Sequence, residues 1–344
     1  MKIDLFNRKP AIRPEPPPAL LFPTADNPLP GRHTVGYFTG AAGRRLRYAI
    51  FRPDEGAAKG TVVLLHGRNE SIEKYFETIA SFLARGLWVA TFDWRGQAGS
   101  ERLLKDLRRG HVRRFADYEA DLSLFLEQIV LPDTRLPFFL VAHSMGALVA
   151  LSQAPALSTR IDRMVLAAPF VALGNQSLSH GKIGFIAGVI SLFGLGAMAL
   201  NRDGGPRPFA NNILTADERR FQRNQGIAEA HPDLFLGPPS ARWLAETFRA
   251  VRRVTRREHL TRITVPTLIL APTRDLLVPH AAVEALARNF RAATLIPIDG
   301  ARHELFQEDD RYRAQAMAAV EAFIPGTVSE EIPAPVIEDK ALAL

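Results

Sequence analysis

Cysteine is absent from the 344 residues. That single absence removes a disulfide framework, a thiolate zinc site and a cysteine nucleophile. No HExxH pair offers a zinc site, and the stretch DWRGQAGSER at 93–102 lacks the lysine and spacing of a phosphate-binding P-loop. Neither a metal nor a cofactor is expected. Lys and Arg total 43 against 36 Asp and Glu, a net charge of +7. No long basic run concentrates it, so a solvated basic surface is expected rather than a nucleic-acid partner. The N-terminus has no apolar stretch of about 7–15 residues followed by a cleavage site, so it does not read as a secretory signal. A cytoplasmic protein, at most peripheral to a membrane, is expected. Long apolar runs are scarce as well. The exception is 183–200, which carries no charge but holds four glycines. It reaches the lower limit of a membrane span. The glycines and the internal position favour a lid facing lipid or substrate, or a buried structural helix.

What is present has the composition of a soluble globular chain, 47% hydrophobic and 23% charged. Eight prolines between positions 10 and 30 predict an extended arm over 1–34. A Pro- and Glu-containing loose tail is expected over 325–344. Between them the chain alternates. Strand patterns at 46–51, 61–66, 87–92, 137–142 and 163–168 are separated by helical spacing at 73–85, 114–131 and 145–157. After a gap the alternation resumes with strands at 265–271 and 293–298 and helices at 281–290 and 312–323. Repeated βα units with short, wholly apolar strands imply a mostly parallel sheet with helices on both faces. The core is expected over 35–170 and 261–324, and the gap, 171–260, reads as a helical cap or lid insertion.

The sharpest local signal is VAHSMGA at 141–147. Ser144 stands between the end of a buried strand and the start of a helix, with Gly146 two residues later. A nucleophile elbow needs such a strand–turn–helix bend, which exposes the serine Oγ above the sheet. Ala142 occupies the position where glycine is usual. A serine nucleophile needs a base and a group that orients it, in the chain order serine, acid, histidine. His303 follows the strand pattern at 293–298, and Asp275 ends the one before it, in the run APTRD. Both fall at the carboxyl edge of the sheet, where open α/β sheets bind ligands. Asp299 is a rival acid. An oxyanion hole needs two backbone N–H groups; Met145, after the nucleophile, and Arg68, in the loop HGRNE, are the expected donors.

With those residues in view, the chain resembles the serine hydrolases of the α/β-hydrolase fold, and more closely the bacterial lysophospholipase and monoacylglycerol lipase group. The matching segments are HGRNES at 66–71 with Lys74 and Tyr75, DWRGQAGSER at 93–102, AHSMGA at 142–147, APTRD at 271–275 and GARHELFQE at 300–308. Residues 212–220 and 237–243 resemble the cap of lysophospholipases. Ala142 and Ala98 depart from the pattern, each standing where glycine is common. The resemblance implies that Ser144 attacks a carboxylic ester of a single-acyl-chain lipid, with Asp275 and His303 completing a triad. Phe185, Ile186 and Phe193 are candidate lid contacts with that lipid. Two alternatives belong beside this: a peptidase or small-ester hydrolase resembling the proline iminopeptidases, and a catalytically silent binding module. The oligomeric state is not legible.

Overall fold

The computed structural model describes residues 20–174, 179–200 and 208–325. Residues 1–19 of the expected arm, 326–344 of the expected tail, and 175–178 and 201–207 of the insertion lie outside these. The described strands are β1 (Arg32–Thr39), β2 (Arg45–Arg52), β3 (Thr61–Leu65), β4 (Trp88–Phe92), β5 (Phe138–His143), β6 (Arg163–Ala167), β7 (Thr267–Pro272) and β8 (Ala293–Ile298). They form one sheet in the order β1-β2-β4-β3-β5-β6-β7-β8. The pairs β1–β2 and β2–β4 are antiparallel, and each remaining pair is parallel.

The helices are α1 (Phe76–Leu83), α2 (Ala116–Phe125), α3 (Leu131–Asp133), α4 (Met145–Leu157), α5 (His180–Ile190), α6 (Glu218–Ala230), α7 (Ala241–Val254), α8 (Arg257–Leu260), α9 (His280–Arg288) and α10 (Asp310–Phe323). Every residue of β3, TVVLL, and of β5, FFLVAH, is buried. The strand period of two divides them between two cores. Val63, Leu65, Leu140 and Ala142 meet α2 and α4 on one face, and Val62, Leu64, Phe139 and Val141 meet α1 and α10 on the other. These strands have no polar side because neither face meets water. The expected mostly parallel sheet with helices on both faces is therefore the fold, that of the α/β-hydrolases.

The expected boundary of the arm at residue 34 needs correction. β1 begins at Arg32, and the chain from residue 20 already packs on the body. Leu21 and Leu29 lie against the second core, and the buried Asn27 side chain donates to the Glu73 carbonyl at 2.9 Å. β1 escaped the pattern because it is an edge strand. Its residues RHTVGYFT bury only Phe38, so no apolar alternation marks it.

The long segment between β6 and β7 carries α5 to α8. Helix α7 packs across both α4 and α5. Its contact with α5 runs through small residues, Ala187 against Ala241 and Ala245, which let the helices approach closely. Helix α6 is tied to the body by charge. The buried Arg220 guanidinium forms two hydrogen bonds to the Glu77 carboxylate, at 2.9 and 2.5 Å, and Arg223 adds a third at 2.6 Å.

Candidate functional site

The elbow is formed by the junction of β5 and α4. Ser144 lies at φ 50°, ψ −112°, where side-chain-bearing residues are strained. Its N–H donates to the Ala167 carbonyl at 3.1 Å, and its carbonyl accepts from the Phe170 N–H at 3.1 Å, which ties the turn between β5 and α4 to the end of β6. Gly146 is required by space. A Cβ there would lie 2.6 Å from the carbonyl oxygens of both Leu65 and His66. The absence of that carbon lets α4 start hard against the end of β3. Ala142 is wholly buried within the extended β5, where alanine needs no special backbone. Ala98 is different. It sits at φ 41°, in the left-handed region that favours glycine, which explains why glycine is common there.

Parallel strands deliver their carboxyl ends to one edge, and there the expected residues meet. His303 Nε2 lies 2.9 Å from Ser144 Oγ, and His303 Nδ1 lies 2.6 Å from Asp275 Oδ2. The other Asp275 oxygen, Oδ1, accepts the N–H groups of Leu277 at 2.8 Å and Val278 at 2.9 Å. The carboxylate is thus oriented by the turn that follows β7. All three residues are buried, Ser144 retaining 7% exposure. The rival acid is elsewhere. Asp299 Oδ1 accepts from the Thr273 hydroxyl at 2.9 Å in an exposed contact.

In the loop after β3, Gly67 donates its N–H to Glu70 at 2.5 Å and Asn69 donates to the Gln97 side chain at 2.8 Å. The Arg68 N–H between them makes no hydrogen bond among the described residues. Met145 opens α4, so its N–H is among the first donors of a helix, which lack an intrahelical partner. Arg68 and Met145 line the same cavity as Ser144 and His303. This cavity measures about 1310 Å³, and its wall includes Phe170, Ile183, Ile186, Leu214, Trp243 and Leu244. All six belong to the segment between β6 and β7, which therefore roofs the serine.

Of the three expected lid contacts, Ile186 lines the cavity; Phe185 and Phe193 do not. They are 72% and 76% exposed. The helical period is the reason. Ala187 is on the inward face of α5, with Ile183 beside it, whereas Phe185 and Val189 fall on the opposite one; Ile186, 43% exposed, stands between them at the cavity rim. The segment kinks at Phe193 and Gly194, so the apolar run is neither one continuous helix nor a buried one. Among the described residues no helix is long and apolar enough to cross a membrane.

A buried charge network lies beneath the elbow. Lys74 Nζ bridges Glu70 at 2.9 Å and Glu304 at 2.6 Å. Tyr75 donates to Glu70 at 2.8 Å. His143, beside Ser144, contacts Glu70 and the His303 carbonyl, both at 3.3 Å. Burial opposes the Glu70 charge, yet Lys74 and His143 hold its carboxyl well below the usual range. Burial likewise disfavours a proton on His143, but Glu70 outweighs this and its pKa is raised. The network binds the loop after β3, the elbow and the loop after β8 into one unit. The signal in the sequence was the pair Glu70 and Lys74 at spacing four; Glu304, 230 residues away from Lys74, is joined only by the fold.

Residues 56–310 match the family described as serine aminopeptidase, S33. Over 290 residues the chain is 28% identical to the probable lysophospholipase L2 of Haemophilus influenzae, covering 84% of this chain and 91% of that protein. It is 30% identical over 299 residues to lysophospholipase L2 of Escherichia coli K12, covering 83% of this chain and 86% of that protein. Among solved structures, a soluble variant of monoglyceride lipase from Saccharomyces cerevisiae, in complex with a substrate analogue, superposes with a TM-score of 0.70. That match covers 90% of this chain and 100% of the other at 19% identity, a likeness of fold.

Proposed function

The chain belongs to the serine aminopeptidase S33 family of α/β-hydrolases, and from that premise we propose that it is a serine hydrolase cleaving the carboxylic ester of a single-acyl-chain lipid. The observation that carries this reading is the hydrogen-bonded chain Asp275–His303–Ser144 opening into a large cavity with an apolar wall. In this mechanism His303 Nε2 takes the Ser144 proton as Oγ attacks the ester carbonyl. Asp275 holds the imidazole in the productive tautomer and stabilises its charged form. The N–H groups of Arg68 and Met145 receive the oxyanion of the tetrahedral intermediate. His303 then returns the proton to the leaving alcohol, and a water activated by the same imidazole releases the fatty acid.

The substrate class rests on the relatives, whose names include lysophospholipase at 28% and 30% identity, and on the cavity wall. An acyl chain gains free energy from each methylene removed from water, about 0.8 kcal/mol apiece. The helices between β6 and β7 act as the cap that supplies this wall. The outer face of α5 and its continuation, with Phe185, Val189, Leu192, Phe193 and Leu195 exposed, forms a surface suited to rest on a bilayer. The net charge of +7 favours an anionic one.

A fluorophosphonate probe should label Ser144, identified by peptide mass spectrometry. Turnover should then follow lysophospholipid or monoacylglycerol far above a proline arylamide of equal concentration. Preference for the arylamide would establish the peptidase alternative, and no labelling would leave a silent binding module.

A further inference from the structure

Arg68, partly buried, is unlike the buried arginines Arg47 and Arg220. Arg47 and Arg220 face carboxylates at hydrogen-bond distance. Arg68 has no ion pair among the described residues. Its Nη2 donates to the Gly237 carbonyl at 2.5 Å, its guanidinium stacks 5.3 Å from the centre of the Trp243 ring, and its Nε is buried without a hydrogen-bond partner. Burial lowers its pKa to about 10, with Tyr118 opposing that shift, so the group remains a cation at neutral pH. A buried donor on a cation without a counter-charge is costly unless something supplies the acceptor. Arg68 is among the residues that line the cavity of Ser144. Two carboxylates in that wall, Glu70 and Glu304, are already bound to Lys74, and Asp233 is exposed to solvent.

We infer that the Arg68 guanidinium reads the phosphate of a lysophospholipid headgroup and so sets the preference for that lipid over a neutral monoacylglycerol. The inference rests on the proposed ester-hydrolase reading, in which the Arg68 N–H receives the oxyanion. That placement fixes the geometry of the argument. In a lysophospholipid the ester carbonyl and the phosphate are separated by the glycerol carbons. In Arg68 the backbone N–H and the guanidinium are separated by a side chain of similar reach. One residue can therefore hold the carbonyl oxygen by its main chain and the phosphate by the guanidinium donors that Gly237 does not take. Trp243 and Gly237 hold the guanidinium in place before the lipid arrives, so little freedom is lost on binding.

Two arms test this with the full-length protein, below the micelle concentration of each lipid. In the first, a short neutral chromogenic ester reports turnover while non-hydrolysable ether lipids compete. A 1-O-alkylglycero-3-phosphocholine should inhibit about tenfold or more below the concentration needed for the 1-O-alkylglycerol of the same chain. Equal inhibition overturns the inference. Inorganic phosphate and glycerol 3-phosphate serve as controls. If either matches the ether lysolipid, the site reads free phosphate and the headgroup assignment falls. In the second arm, Arg68→Gln and Arg68→Lys are compared on a lysophosphatidylcholine and a monoacylglycerol of one acyl length. The ratio of the two kcat/KM values should fall about tenfold or more in Arg68→Gln, chiefly through KM for the lysophospholipid, with partial recovery in Arg68→Lys. A merely structural Arg68 moves both substrates together, and an unchanged ratio overturns the inference. If the variants do not fold, the ether pair on the wild type decides. Failure of the wider reading looks different: the wild type then hydrolyses neither lipid, and the inference falls with it.

Discussion

Ser144, His303 and Asp275 come from three separate loops, yet each depends on the other two. The strained backbone of Ser144 presents Oγ to His303, and Asp275 is itself aimed by the N–H groups of Leu277 and Val278. Groups that act as a unit fail as a unit. Ser144→Ala should lower ester turnover by at least about a thousandfold with the melting temperature preserved, since the hydroxyl contributes little to packing. Asp275→Asn should also be severe, because an amide at that position favours the wrong imidazole tautomer. Steady-state turnover and thermal melting on purified variants check both; a Ser144→Ala protein that keeps a tenth of its activity would exclude this serine as nucleophile.

At the scale of elements, the decisive division runs along α5. Ile183 and the partly exposed Ile186 line the cavity, while Phe185 and Phe193 stand in solvent. The two faces should therefore fail differently. Phe185→Ser with Phe193→Ser should reduce turnover of vesicle-borne substrate relative to the same lipid presented as monomer. Each phenylalanine withdrawn from water is worth roughly 1.5–3 kcal/mol, so the pair should change that ratio by well over tenfold. Ile186→Ser should instead depress long-chain against short-chain ester turnover even for monomeric substrate. A vesicle-to-monomer ratio unmoved by the double substitution would mean that this surface does not meet lipid. Thermal melting should change little in the double variant, because exposed residues carry little of the core.

Across the whole molecule, charge joins what the sheet leaves separate. Arg47, itself buried, binds Asp93, Glu73 and the Leu20 carbonyl, so one guanidinium ties the N-terminal segment to β2, to the loop after β4 and to the turn before α1. Glu77 does the same for the insertion, accepting from Arg220 and Arg223 on α6. Burial alone would raise the Glu77 carboxyl; the hydrogen bonds of Arg220 and Arg223 dominate and hold it at about 2, against an ordinary value of 4.5. A depressed folded pKa contributes stability that is fully present above the ordinary value and is lost as pH falls from there toward 2. Glu77→Gln should cost roughly 1–2 kcal/mol at neutral pH, allowing for its partial exposure. The variant's loss of stability between about pH 4.5 and 2 should be correspondingly shallower than that of the wild type. Denaturant titrations across that range measure both, and equal slopes would show that Glu77 does not couple the insertion to the body.

Much of this was determined by the sequence alone. β3 and β5 are legible because burial on both faces demands wholly apolar runs, and VAHSMGA is legible because a tight elbow tolerates few residues at its bend. Asp275 and His303 follow from chain order and from the rule that parallel strands end at one edge. Other features required the tertiary structure. β1 is an edge strand with a single buried residue, so periodicity could not find it. The apolar run at 183–200 is equally hydrophobic on both sides. Only its packing against Ala241 and Ala245 determines that Ile186 reaches the cavity while Phe185 faces outward. The Glu70–Lys74–Glu304 bridge and the contacts of Arg68 with Gly237 and Trp243 join residues distant along the chain. A local pattern records the backbone and the face of one element; which charges lose their water together is decided only when distant loops close over the same edge.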